Sequence, residues 1–461
     1  MPFLTDYESI PAADVKSRIG FVYKSLRADW RGMFDDLRRN RPIFANPAFV
    51  MVMRHGDVID VLAQPQLFSV RGYASKMDPS VGPFMLARDE TEINWHEKGV
   101  MRSVLRWEDL PRVRKIAAEA ARQSIDSAGE EIDLVPAVGR LVPLRVVQRY
   151  FGFAGPDDAT MLRWSKCTQT DMFRNPFNDP AAHQACVKSG VEMRAWLKEA
   201  IRAAEPPKPP PAAREDPLSR LLRMVLGGSQ PRHAPATPAG PGANDAFSRL
   251  LRMMRTADAP LDEERVISNV AGLLVGAIET SSQAIVQAAE QILRRPEVRA
   301  QAEAAARSGD DAAFDEIVWE ALRFNPITGM IFRYCERDTV LAPGQPHALS
   351  IKKGTVVAAC IGSAMFDETV VEDPGSFRTG RPDSCLFHLG FGHHECLGKH
   401  VGMQLVPEAV RQILLTPGLR LIDGPQGQID FAGGVFPEHF RVSKVIEAAA
   451  TPAPASVGNA L

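Results

Sequence analysis

The spacing of apolar and polar residues changes character along the chain. Between residues 42 and 75, short β-rich runs such as Phe49 to Met53 mix with a helix-like segment at Asp57 to Ala63, which predicts a small sheet near the N-terminus. From residue 112 onward apolar residues recur at helical spacing, as in Val113, Ile116, Ala117 and Ala120, and the middle of the chain reads as a helical body. A long helix is predicted from 262 to 293: Asp262 and Glu263 oppose the helix dipole at its start, and Pro296 follows its end. At 1.5 Å per residue it would span roughly 48 Å, the width of a domain, so it is expected to cross the core. Its middle nevertheless carries Glu279, Thr280, Ser281 and Ser282, and buried polar groups need partners.

Two segments break the pattern. Residues 205–216 and 227–245 are rich in Pro, Ala and Gly and favour extended chain over packed core. Two near copies, Asp216 to Met224 and Asp245 to Met253, lie beside them; two copies do not make a solenoid, and chance or a local duplication accounts for them. The division expected is an N-terminal segment over 1–41, one large domain over 42–445 with an insertion at about 205–243, and a tail over 446–461.

Composition narrows the function. The 461 residues are 45% apolar and 24% charged, as in an ordinary globular protein, and the formal net charge of -2 lacks the basic excess that tracks a nucleic acid. The first residues have no secretory pattern, and the apolar stretch from Val266 to Ile278 is shorter than the roughly 20 residues a bilayer span needs, so a cytoplasmic protein is expected. Six scattered cysteines without a CxxC pair fit neither a disulfide framework nor a four-ligand zinc site. A functional cysteine would act alone.

The strongest local signal is His388-Leu-Gly-Phe-Gly-His-His-Glu-Cys396-Leu-Gly398, a glycine-studded loop that presents one cysteine just before an apolar-periodic helix. A thiolate there would meet backbone N–H donors and the positive end of the helix dipole, and glycines at 390, 392 and 398 would let a flat partner approach. A lone cysteine is by default an inert core residue; the loop argues otherwise. It resembles the haem loop of the cytochrome P450 superfamily, FxxGxxxCxG, matching Gly392, Cys396 and Gly398, with Leu389 in place of the usual Phe. The resemblance covers about residues 42–445. It implies a mainly α fold with a small β-rich side, in which haem b lies between the long helix and the cysteine-loop helix and takes its axial thiolate from Cys396.

Further residues acquire roles from that resemblance. Glu320-Ala-Leu-Arg323 supplies the ExxR pattern, one helical turn apart, and Arg381 in Asp373-Pro-Gly-Ser-Phe-Arg-Thr-Gly-Arg381 would complete a buried ionic triad. His394 and Arg333 stand where members place haem-propionate donors. The usual HxxxR is absent; Lys98 and Arg102 are its nearest counterparts, with Arg112 and Arg114 as alternatives, and a solvated basic face is an equal reading. Gly276-Ala-Ile-Glu279-Thr280 resembles the oxygen-binding [AG]GxxT, in which the glycine leaves room for dioxygen and Glu279 and Thr280 deliver protons. By position Phe84, Met85, Leu273, Gly276, Ile327 to Met330, Val435 and Phe436 would line the substrate pocket, with core packing as the plain alternative for each.

The implied activity is a monooxygenase that hydroxylates or epoxidises a small apolar molecule with O2 and two electrons. No nucleotide-binding GxGxxG follows a strand, so electrons are expected from a ferredoxin and its NAD(P)H-driven reductase, with Lys399 as a candidate docking cation. A peroxide-using peroxygenase, a hydroperoxide isomerase and a haem protein without turnover are the alternatives.

Overall fold

A computed structural model describes residues 2–445 except Glu90, Phe177, 205–243 and Ala257, so the insertion, the first of the two near copies and the C-terminal tail lie outside the described residues. The described chain forms two compact bodies. One is drawn from Met1–Phe68, Glu108–Arg145 and Ile278–Leu461, the other from Ser69–Trp107 and Val146–Ala277.

The first body holds the sheet predicted near the N-terminus, but most of its partners come from far along the chain. Strand Val50–Val52 pairs antiparallel with Ile43–Ala45 and parallel with Val356–Ala359, in the register Val50 to Val357 and Val52 to Ala359. Ile331–Cys335 continues the sheet antiparallel to Val356–Ala359, and Phe68–Ser69 stands at the far edge. Helices Phe3–Ser9, Val15–Ala28 and Trp30–Asn40 pack on one face, where Phe3, Tyr7, Met33, Phe34 and Leu37 share a core with Phe44, Phe49 and Met51. Residues 1–41 are thus part of this body's packing.

On helix Leu110–Ser127 the predicted stripe is the buried one: Val113, Ile116, Ala117 and Ala120 point inward and meet helix Lys399–Leu414. The two helices are also tied by charge. Arg114 bonds Asp311 (2.7 Å) and Asp315 (2.5 Å) on helix Asp311–Phe324, and Arg411 reaches Asp311 (2.5 Å). Strand Arg441–Ser443 pairs antiparallel with Glu131–Asp133, the strand that leads into the short π-helix Val135–Arg140.

In the second body helices Asp158–Arg174 and Pro180–Ala203 pack together, each started by an aspartate whose side chain accepts a backbone N–H, Asp157 from Thr160 and Asp179 from Ala181. The buried Asp171 accepts from Asn175 and sits 2.8 Å from His183 on the neighbouring helix. The second near copy forms helix Ala246–Met254, capped by Asp245.

The predicted long helix is Glu263–Leu293, about 46 Å long, with Asp262 accepting the Arg265 N–H at 2.8 Å as its cap. Its first half belongs to the second body and its second half to the first. Several buried polar residues on it have partners through their donor groups. Asn269 and Arg265 bond Glu97, Gln283 donates to the Ile327 carbonyl (3.2 Å), and Gln287 donates to Asn325 (2.7 Å). Among the described residues no helix is long and apolar enough to cross a membrane.

Candidate active site

Helix Asp311–Phe324 sets Glu320 and Arg323 one turn apart on its buried face. Two parallel bonds of 2.8 and 2.7 Å join them, and Arg381 adds bonds of 3.1 and 3.2 Å to the same carboxylate. Arg323 is 0% exposed, so its remaining N–H groups need acceptors; the carbonyls of Met365, Pro374 and Ser376 supply them. Arg381 likewise donates to the carbonyls of Glu372, Asp373 and Ser376, and the Arg378 N–H donates to Glu320. Three charged side chains therefore stitch the 372–381 segment to the helix.

The cysteine loop follows that segment. His388 lies over Trp319, ring centroids 5.8 Å apart, and loss of hydration pushes its imidazole down to about 4, so it is neutral at physiological pH. The loop closes where the Cys396 N–H donates to the Leu389 carbonyl at 2.9 Å. Gly392 has φ +69°, and a Cβ there would come 3.2 Å from the Leu62 carbonyl at the end of helix His55–Leu62; both reasons demand glycine. Phe391 packs into the core beside Phe387, while His394 is half-buried and stands edge-on to His393.

Of the six cysteines, Cys396 alone is exposed. A Cβ on Gly398 would lie 3.8 Å from its sulfur, so that side is bounded by backbone only, and helix Lys399–Leu414 begins just beyond. Among the described residues no three His, Cys, Asp or Glu side chains could hold a metal between them. An exposed thiol on a glycine loop at a helix start suits the role of a thiolate ligand beside a flat cofactor. Lys399, expected to face a partner, donates to Glu395 at 2.7 Å.

On the long helix Glu279 is 1% exposed and Thr280 half-buried. Gly276 is open: a Cβ there would meet nothing within 4 Å. Glu279 does not stand alone. Arg140 donates from Nε at 3.1 and 3.2 Å and from Nη2 at 3.2 Å to its carboxylate. The same guanidinium donates to Glu438 at 2.9 and 3.1 Å and to the Pro437 carbonyl. Burial alone would lower the affinity of Arg140 for its proton, but the two carboxylates outweigh it and raise it above its ordinary value. Arg140 can reach the helix because Gly139 precedes it: a Cβ there would come 2.8 Å from Ser282 Oγ and 3.2 Å from Val286.

Arg140 and Glu438 escaped the sequence reading. They lie 298 residues apart and belong to no motif, and only the glycine before Arg140 hints at a close approach.

The other expected residues fall as follows. Arg333 is buried in strand Ile331–Cys335. In helix Lys98–Val104, Lys98 is buried and Arg102 exposed, whereas Arg114 is committed to Asp311 and Asp315. Phe84, Met85 and Leu273 are buried in the second body, where the Phe84 ring covers Gly272. Ile327 and Met330 are half-buried, and Phe436 is buried two residues before Glu438.

A family model described as Cytochrome P450 matches residues 232–416. The chain is 24% identical over 428 residues to the steroid C26-monooxygenase of Mycolicibacterium smegmatis, covering 91% of this chain and 92% of that protein. It is 28% identical over 417 residues to the mycinamicin IV hydroxylase/epoxidase of Micromonospora griseorubida (87% and 90%). With the linalool 8-monooxygenase of Pseudomonas putida it shares 26% over 420 residues (83% and 87%). In structure it is similar to cytochrome P450 CYP109Q5 from Chondromyces apiculatus, at TM-score 0.70, 20% identity and coverage of 92% and 97%, and to CalO2, at 0.72, 18%, 91% and 97%.

Proposed function

The chain belongs to the cytochrome P450 superfamily and is a haem-thiolate monooxygenase, and from that premise we propose that Cys396 is its iron ligand and that it hydroxylates or epoxidises a small apolar molecule. The observation that carries this is the exposed Cys396 thiol on its glycine loop, in the same body as the buried Glu320–Arg323 pair. When bound, haem supplies the oxidising chemistry with O2 and electrons. The chain supplies the rest. Arg333 and His394, with Lys98 and Arg102, would meet the propionates. Gly392 and Gly398 keep side chains off the loop, and the Leu389 carbonyl holds the Cys396 backbone. Glu320, Arg323 and Arg381 are structural. Gly276 leaves helix surface open, and Glu279 and Thr280 hold and pass protons beside it.

The candidates for substrate contact are apolar in each body taken by itself, Phe84, Met85 and Leu273 in the second and Ile327, Met330 and Phe436 in the first. Two relatives are named for a steroid and for linalool, both largely apolar, and an apolar substrate of terpenoid or steroid class suits these candidates. Cytochrome P450 monooxygenases draw electrons from a redox partner; a ferredoxin with its NAD(P)H-driven reductase is the partner proposed, in the cytoplasm where reduced nicotinamide is made.

The test uses haem-loaded protein and two spectra. The reduced carbon-monoxide spectrum should show thiolate ligation in the wild type and lose it in Cys396→Ser; an unchanged variant spectrum would refute the ligand. Titration with steroids, terpenoids, fatty acids and small aromatics should give a saturable Soret shift with one class. Product formed with peroxide alone, and none with ferredoxin and O2, would instead identify a peroxygenase.

A further inference from the structure

Arg140 is held between two carboxylates on different parts of the first body: Glu279 in the long helix, 1% exposed, and Glu438 in the C-terminal turn, 19% exposed. The turn is fixed. Asp430 and His439 form a closed bridge, His439 Nδ1 sits 2.6 Å from Asp133, and the Phe440 and Leu134 backbones are bonded to Asp133 and Phe440. Glu438 and Arg140 therefore hang from one strand pair, Glu131–Asp133 with Arg441–Ser443. The charged groups facing Glu279 include Arg140 from the short π-helix Val135–Arg140 and Glu438, through Arg140, from the C-terminal turn; the His439 and Asp133 pair lies next along that turn.

A carboxylate clamped by one arginine is a poor proton carrier, because protonating it strands a buried guanidinium. Two carboxylates remove that difficulty. Fully ionised, the trio carries one negative charge in excess; with one proton added it is neutral and still contains an ion pair. Loss of hydration penalises charge more at the deeper carboxylate, so the proton belongs on Glu279 while Glu438 keeps Arg140 paired.

We infer that Glu438 is a positioning residue for proton delivery, sharing Arg140 so that Glu279 can take up and release a proton without leaving that guanidinium unpaired. The inference rests on the proposed role of Glu279. The proton on the Glu279 carboxyl comes from solvent and leaves toward Thr280, and the carboxylate regains another from solvent, so the trio returns to its starting charge.

The experiment uses the full-length haem-loaded protein and infrared difference spectroscopy over a pH series, with Glu279→Gln to identify the Glu279 carboxyl band. Glu438→Gln should move the midpoint of that band to lower pH by about one unit or more, a tenfold change in proton affinity. In turnover it should raise the solvent deuterium isotope effect and lower product formed per NAD(P)H. Glu438→Asp keeps the charge and should restore both readings, which a merely space-filling role would not predict. An unchanged midpoint and coupling profile in a folded Glu438→Gln protein would overturn the inference. If Glu279→Gln itself couples like the wild type, the relay role of Glu279 falls, while the infrared midpoint still decides whether Glu438 governs its charge.

Discussion

His388 shows what a single titratable group contributes. Packed over Trp319, its imidazole has a folded-state value near 4 against an ordinary value near 6.5, because hydration of the charged form is lost. Between those limits the unfolded chain binds more protons than the folded one, so the contribution is complete above about pH 6.5 and is lost as the pH falls toward 4. Its size is of the order of 3 kcal/mol. Thermal melts from pH 7 to 4.5 should show a smaller loss of stability in His388→Gln than in the wild type; parallel curves would refute the assignment. Residues differ in how far their neighbours on the chain announce such roles. Glu320 and Arg323 were readable because their contact is one helical turn long. Cys396 stood out because glycines surround it in sequence, and its role as ligand is the proposal made above. Arg140 and Glu438 were not, since what brings them to Glu279 is a strand pairing 310 residues long, and no local pattern encodes that.

At the scale of elements, the long helix was legible almost to its ends, with Asp262 as its cap and the apolar run as its body. The stripe on Leu110–Ser127 was equally plain. The sheet was only half legible: the run at 49–53 predicts a strand, but a strand of three residues does not name its partners, and Val356–Ala359 and Ile331–Cys335 arrive from some 300 residues away. The approach of the Val135–Arg140 π-helix to the long helix is equally non-local, and it depends on a missing side chain. Gly139→Ala would place a methyl 2.8 Å from Ser282 Oγ and 3.2 Å from Val286, so those side chains or the helix itself must give way. A loss of about 1–3 kcal/mol in denaturant unfolding is expected, together with the uncoupling foreseen for Glu438→Gln. A variant as stable and as well coupled as the wild type would show that the contact is slack.

For the molecule as a whole, the mainly helical class with a small β-rich side was accessible from periodicity, and the cytochrome P450 fold from the motifs. The role of the first helices was not: their short apolar pattern reads as a leading segment. Phe3 and Tyr7 are 6% and 3% exposed and set their rings edge-on against Phe44, Leu4 N–H bonds Asp36, and Glu8 pairs with Arg41. Removing residues 2–10 should cost about 3–5 kcal/mol, seen as an earlier denaturant midpoint. An unmoved midpoint would mean that this packing adds nothing.

The pairing of Glu131–Asp133 with Arg441–Ser443 also sets a schedule for biosynthesis. A ribosome adds about 5–20 residues per second, so the earlier strand waits roughly 15–60 s for its mate. During that interval the growing chain already contains Arg140, and later Glu279 and the cysteine loop, but not Glu438. A nascent or prematurely terminated chain would hold Arg140 and Glu279 without the Glu438 carboxylate that also pairs with Arg140. The last described strand is therefore the one that brings the second carboxylate to Arg140.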